Sequence, residues 1–270
     1  MSRAPIGFFD SGVGGLSVLR AVRDQHPTED LIYIADQAHV PYGLRQLEEV
    51  RHFSTEITRF LLHQGAKLIV VACNTASAAA LHHLRRTFPD TPFVGMEPAV
   101  KPAAETTETG VVGVLATPAT FQGRLYASVV ERFASGVMLL QNPCTGLVEQ
   151  IEAGNLDGEQ TAIILEGALN PMLAANIDTV VLGCTHYPFV IPQIKQIVGE
   201  KVRVIDPAPA ISRQVGRLLD KFELHTPDTS PGTITMLTSG DVQSFEGFIQ
   251  LLEINGLVGI IRWKEEKLTF

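Results

Sequence analysis

Short runs that are apolar throughout alternate along this chain with stretches whose apolar positions recur at helical spacing. IGFFD (6–10), LIYIAD (31–36), LIVVAC (68–73), FVGME (93–97), VVGVLA (111–116), TVVLGC (179–184) and VRVID (202–206) predict strands. Between them, GGLSVLRAVRDQH, RQLEEVRHFSTEITRFLLHQ, ASAAALHHLRRTF, ATFQGRLYASVVERFA, LDGEQTAIILEGALNPMLAA and VIPQIKQIVG predict helices. Strands separated by helices of this length imply βαβ units and parallel sheets. Strands without a polar face suit sheets covered by helices on both sides. The expected fold class is therefore α/β.

Polar residues collect where these strands end. IGFFD closes on Asp10 and Ser11, LIYIAD on Asp36, and LIVVAC on Cys73-Asn74-Thr75. VVGVLA leads to Thr117, TVVLGC to Cys184-Thr185-His186, and VRVID closes on Asp206. Ligands of parallel sheets gather at these carboxyl ends, so six such ends read as one functional site. A weak internal repeat supports this: VVACNTASA…FVGMEPAV is similar to VVLGCTHYP…VRVIDPAPAI. It predicts two pseudo-symmetric lobes, each a mainly parallel sheet flanked by helices and each presenting one cysteine at an equivalent turn. Residues 1–97 with 210–270 would form the first lobe, and residues 98–209 the second.

Composition narrows the function classes. A hydrophobic content of 45% with 19% charged residues fits a globular protein with a substantial core. No apolar stretch reaches the ~18 residues of a membrane span. The opening MSRAPIGFFDSG goes straight into a strand-like run without a signal-type apolar segment, so a cytoplasmic protein without membrane partners is expected. A net charge of −8 argues against a nucleic-acid partner. The cysteines Cys73, Cys144 and Cys184 are odd in number and widely spaced, which speaks against a disulfide framework. Without C-x-x-C pairs, a metal site is not expected either.

Two thiols at equivalent turns suggest a particular chemistry. A thiol near a helix N-terminus feels the positive end of the dipole, which favours the thiolate. Inverting a carbon stereocentre needs a base on one face and an acid on the other, with the roles exchanged in the reverse direction. If each sulfur stands about 3–3.5 Å from the reacting carbon, the two are about 6–7 Å apart. A hydrolase or decarboxylase using a single thiol is the rival of another class, and a binding module that has lost catalysis is a third reading.

The stretches FFDSGVGGLSVLR, YIADQAHVPYG, VVACNTASA and LGCTHYP resemble the glutamate racemases of the aspartate/glutamate racemase family, over almost the whole chain. The resemblance implies an isomerase of two α/β lobes with its active site in the cleft between them. It implies conversion of L-glutamate to D-glutamate for peptidoglycan, hence for cell wall biogenesis and cell shape. It also implies independence of any cofactor, and a homodimer. An aspartate racemase of the same superfamily is the near alternative. By the same resemblance Cys73 and Cys184 are the catalytic thiols, Asp10 assists Cys73, and Glu152 and His186 assist Cys184. Glu152 follows from the spacing C-x7-E in CTGLVEQIEAG, with Glu149 as the alternative at that turn. Substrate-binding residues would be Asp10, Ser11, Tyr42, Gly43, Asn74, Thr75, Thr117, Thr185 and His186, with Asp36 as a further candidate. The chain departs from the family pattern where Gln37 and His39 replace a threonine and an arginine, and where Cys144-Thr145 replaces Cys-Pro.

Other motifs take plainer readings. DSGVGG lacks the lysine and full spacing of a phosphate loop. LHHLRR is expected to be a solvated helix face, Cys144 a structural cysteine, and the closing KEEKLTF a polar tail.

Overall fold

The computed structural model describes residues 3–270. The chain divides into two compact units, Met1–Met96 with Ala208–Phe270, and Glu97–Pro207. The first unit opens with β1 (Ile6–Asp10), α1 (Leu16–Gln25), β2 (Leu31–Ala35), α2 (Leu47–His63), β3 (Leu68–Val71), α3 (Asn74–Thr87) and β4 (Phe93–Gly95). The second holds α4 (Val100–Thr106), β5 (Val111–Ala116), α5 (Pro118–Gln122), α6 (Arg124–Phe133), β6 (Met138–Asn142), α7 (Leu147–Glu152), α8 (Glu159–Ala174), β7 (Thr179–Gly183), α9 (Ile191–Val198) and β8 (Arg203–Ile205). The first unit is completed by α10 (Ala208–Lys221), β9 (Ile234–Thr238), α11 (Val242–Leu251), β10 (Leu257–Ile260) and an antiparallel hairpin of β11 (Arg262–Lys264) and β12 (Lys267–Thr269).

The first unit's sheet runs β10-β9-β2-β1-β3-β4 and the second unit's β6-β5-β7-β8, all parallel. The four strands β2-β1-β3-β4 and β6-β5-β7-β8 are wired identically, which is the internal repeat made visible. Right-handed crossovers then send α1 to one face of its sheet and α2 and α3 to the other. In the second unit they separate α5 and α6 from α8 and α9 in the same way. In this strand order the winding reverses between the first and third strands, and a crevice opens there at the carboxyl ends. Asp10 and Cys73 flank that point in the first unit, and Thr117 and Cys184 flank it in the second.

Register brings the ends level. Asp10 pairs with Ala35, and Phe9 with Val71. The ladder continues one step into the loops, with the Asp36 N–H donating to Asp10 O and the Ala72 N–H to Phe9 O, both at 2.9 Å. All five residues of β1 and all five of β7 are buried, as doubly covered strands must be. The core of the first unit joins Phe9 and Val71 to Ile57 and Leu61 of α2 and to Ala80 and Leu84 of α3.

Some expectations need correction. The runs expected as strands end one or two residues early at Asp36, Cys73, Glu97, Cys184 and Asp206, because those residues turn into loops or caps. ATFQGRLYASVVERFA is two helices, divided where Gly123 takes extended angles (φ −70°, ψ 138°), glycine being costly to hold in a helix. KEEKLTF is the turn and second strand of the terminal hairpin. Glu265 and Glu266 make the turn with φ of 47° and 65°, and Leu268 is buried in the α2/α3 core. Two apolar residues at the end of a charged stretch carry too little pattern to reveal such a strand. LHHLRR does lie on the surface of α3, with His82, Arg85 and Arg86 exposed.

Candidate active site

In the first unit, Cys73 stands immediately before α3 as its N-cap, and its Sγ accepts the Ala76 N–H at 3.4 Å. The sulfur therefore faces the positive end of a 14-residue helix. Next to it Asn74 is 3% exposed, and neither its side-chain nitrogen nor its side-chain oxygen has a partner within the protein. A buried amide with both functions unused is rare, and it suits a ligand that offers both a donor and an acceptor. Thr75 follows, buried, in the first turn of the same helix.

Asp10 is fully buried at the end of β1, and its Oδ2 accepts the Gly15 N–H at 2.7 Å. Ser11 Oγ lies 3.5 Å from Asp10 Oδ1. The Tyr33 hydroxyl donates to Gly12 O at 2.6 Å and so closes the DSGVGG loop. Gly15 is required by close approach: a Cβ there would stand 2.9 Å from Asp10 Cβ and from Tyr33 Oη, and 3.0 Å from Ala72 Cβ. Gly15→Ala is expected to destabilise the fold by about 1–3 kcal/mol through overpacking, read as a lower denaturant midpoint.

Tyr42 and Gly43 open a 3₁₀ turn, Tyr42–Leu44. The Tyr42 ring is buried and its hydroxyl donates to Asp36 Oδ2 at 2.6 Å. Burial, and then the charges of Asp36, Cys73 and Asp10, push its pKa well above the ordinary 10. The phenol is thus a fixed donor at neutral pH.

In the second unit, Cys184, His186 and Glu152 form a row. His186 Nδ1 lies 3.7 Å from Cys184 Sγ, and His186 Nε2 lies 2.6 Å from Glu152 Oε1. Burial would lower the pKa of His186. Hydrogen bonds to Cys184 and Glu152, with their charges, outweigh it and hold the pKa well above 6.5. With the ring protonated, both nitrogens donate, and a positive charge stands beside the sulfur. Glu152 is the carboxylate against the ring, while Glu149 is exposed on the same helix.

Cys184 differs from the expectation of a thiol placed like Cys73. It is followed by a turn in which the Tyr187 N–H donates to Cys184 O, then by the 3₁₀ segment Tyr187–Val190, and α9 begins only at Ile191. Its neighbour is the His186 ring, with its raised pKa, instead of a helix end. Thr185 is buried beside it. Thr117 follows β5 directly and caps α5, its Oγ1 accepting the Thr120 N–H at 3.4 Å. The pKa of Cys144 is pushed up to about 12, mainly by burial and further by Cys184, which leaves a neutral thiol. None of the three cysteines is in a disulfide.

Two buried thiols, each beside a different positive group and each at the crevice of a like-wired sheet, suit proton transfer. A sequence model of the Asp/Glu/Hydantoin racemase family matches residues 16–215. The chain belongs to that family. A relative named glutamate racemase from Roseiflexus sp. (strain RS-1) is 50% identical over 254 residues, which is 94% of this chain and 93% of that protein. Another so named, from Pseudomonas aeruginosa (strain PAO1 among its designations), is 53% identical over 80% of this chain and 82% of its own. Among solved structures, the glutamate racemase isoform RacE1 of Bacillus anthracis superposes with a TM-score of 0.86 at 31% identity, covering 98% of both chains. The Escherichia coli glutamate racemase, solved with L-glutamate and the activator UDP-MurNAc-ala, gives 0.84 at 33% identity, covering 96% of this chain and 98% of its own.

Within this racemase family member the structure adds two residues that motif reading passed over. Ser239 and Trp263 both bond to Asp36. They lie 203 and 227 positions away along the chain, so no local pattern links them to it. Among the described residues, no group of three or more His, Cys, Asp or Glu side chains could hold a metal ion. Nor, among the described residues, is any helix long and apolar enough to cross a membrane.

Proposed function

We propose that the protein interconverts L- and D-glutamate by proton transfer at Cα between two thiols, Cys73 and Cys184. One observation carries this reading: in each of the two identically wired sheets a buried cysteine follows within two residues of the end of the third strand, beside the crevice where such sheets bind ligands. One thiol takes the α-proton as a base, and the other returns a proton to the opposite face. In the reverse direction the two exchange roles. Asp10 assists Cys73, and the His186–Glu152 pair assists Cys184.

Carbanionic charge that develops at Cα and on the carboxylate needs donors already in place. The N–H groups at the start of α3, the Asn74 amide and the hydroxyls of Ser11, Thr75, Thr117 and Thr185 are the groups assigned to that task, and the Tyr42–Gly43 turn holds the bound substrate equally in its ground and transition states. Glutamate is preferred over aspartate because relatives of about half identical sequence carry that name. A cytoplasmic homodimer supplying D-glutamate to the cell wall completes the reading.

The test is turnover in deuterated water. L-glutamate should give D-glutamate, with deuterium at Cα of the product. Faster turnover of L-aspartate than of L-glutamate would move the assignment to the neighbouring substrate, and absence of exchange at Cα with either acid would end it. Asn74→Ala is expected to lower kcat/KM for glutamate roughly 10- to 100-fold, as loss of a hydrogen bond to a charged group does.

A further inference from the structure

Asp36 is fully buried and accepts four hydrogen bonds from three separate segments of the first unit. Its Oδ2 takes the Tyr42 hydroxyl at 2.6 Å and faces His39 Nδ1 at 2.9 Å. Its Oδ1 takes the Ser239 hydroxyl at 2.8 Å and the Trp263 indole N–H at 2.7 Å. A carboxylate offers about four acceptor positions. All four are taken by the protein itself, so Asp36 has nothing left with which to grip a substrate. Its partners explain it better: one oxygen holds the loop that carries Tyr42 and Gly43, and the other holds the end of β9 and the terminal hairpin.

We propose that the β11–β12 hairpin, acting through the Trp263–Asp36 hydrogen bond, positions the Tyr42–Gly43 turn for substrate, which makes Trp263 and Asp36 positioning residues. This rests on the glutamate reading above. The hairpin is itself anchored. Leu268 is buried against α2, and the Phe270 and Phe60 rings stand 5.1 Å apart. Trp263 packs edge-on to His39 at 5.0 Å and to Phe53 at 5.5 Å, while His39 stacks on Phe53 at 3.9 Å. The two loop positions that depart from the family pattern belong to the same support. His39 meets Asp36, and Gln37 Oε1 accepts the Thr238 hydroxyl at 2.7 Å. Since the Tyr42 hydroxyl is committed to Asp36, the turn presents its backbone and Gly43 to a ligand, and its placement governs binding.

Trp263→Phe keeps the ring and removes only the donor. It is expected to raise KM for both glutamate enantiomers roughly tenfold, as a lost hydrogen bond to a charged group would, with kcat within about twofold. A merely structural defect would lower the amount of folded enzyme, and so the apparent kcat, without moving KM. An unchanged KM would overturn the proposal. Trp263→Phe combined with Tyr42→Phe should raise KM by less than the product of the single effects, because both act through one carboxylate; a full product would count against it.

Should the Phe variant fail to fold, the wild-type protein supplies a second readout. Trp263 is the sole tryptophan, and its emission should change with added glutamate at a midpoint near KM. A flat titration on active enzyme would overturn the proposal. Wild-type protein that turns over neither enantiomer would instead sink the functional reading, which separates the two failures.

Discussion

Cys73→Ser and Cys184→Ser are each expected to slow glutamate racemisation roughly 10²- to 10⁴-fold, the usual worth of a positioned acid or base. Serine fills nearly the same space, so the fold should persist. Its hydroxyl is a far weaker acid than a thiol, whose ordinary pKa is about 8.5. The two variants should not behave alike. In one direction a given cysteine must remove the α-proton, and in the other it only returns one. Each substitution should therefore suppress Cα–H exchange more strongly from one enantiomer, and the affected enantiomer should swap between the variants. Their surroundings reinforce the difference, since Cys73 caps a helix and Cys184 sits beside His186, whose pKa is raised by its bonds to Cys184 and Glu152. Deuterium uptake measured separately from L- and D-glutamate decides the matter. Full activity in either variant would leave a one-thiol enzyme.

The His186–Glu152 pair should produce the next largest effect. His186→Asn removes the positive charge beside Cys184, strands the Glu152 carboxylate, and is expected to lower kcat roughly 10²-fold. Glu152→Gln is the subtler probe. His186 has a pKa raised above 6.5, with burial opposing and the bonds to Cys184 and Glu152 prevailing. The stability it contributes is therefore fully present below about pH 6.5 and is lost as pH rises through the raised value. Activity that needs the imidazolium falls in the same range. Taking away the Glu152 charge lowers the His186 pKa, so the alkaline limb of the kcat profile should move to lower pH. A limb that stays in place would show that another group sets it.

Much of this molecule was legible from local pattern. β1, β3, β5 and β7 are buried on both faces, and such strands must be written as unbroken apolar runs. The polar residues at their ends were legible too, since Cys73, Asn74, Cys184 and His186 follow those runs directly in the sequence. The edge strand β6 and the late strands β9 and β10 are a different matter. β6 is partly exposed along its whole length, so its apolar signal is weak. β9 finds its place only by pairing with β2, some two hundred residues earlier.

Chemistry divides along the same line. Neighbours in sequence marked Cys73, Asn74, Cys184 and His186 as candidates for one site. Only the fold could place Glu152 and not Glu149 against the His186 ring, or separate the helix-capping thiol from the one beside a histidine. Only the fold could reveal Asp36 as a structural acceptor for Ser239 and Trp263. Periodicity and strand-end residues are dictated by interactions within a few positions of each other, and so they are written locally. Hydrogen bonds between residues hundreds of positions apart depend on strand order and register, which no short window of sequence contains.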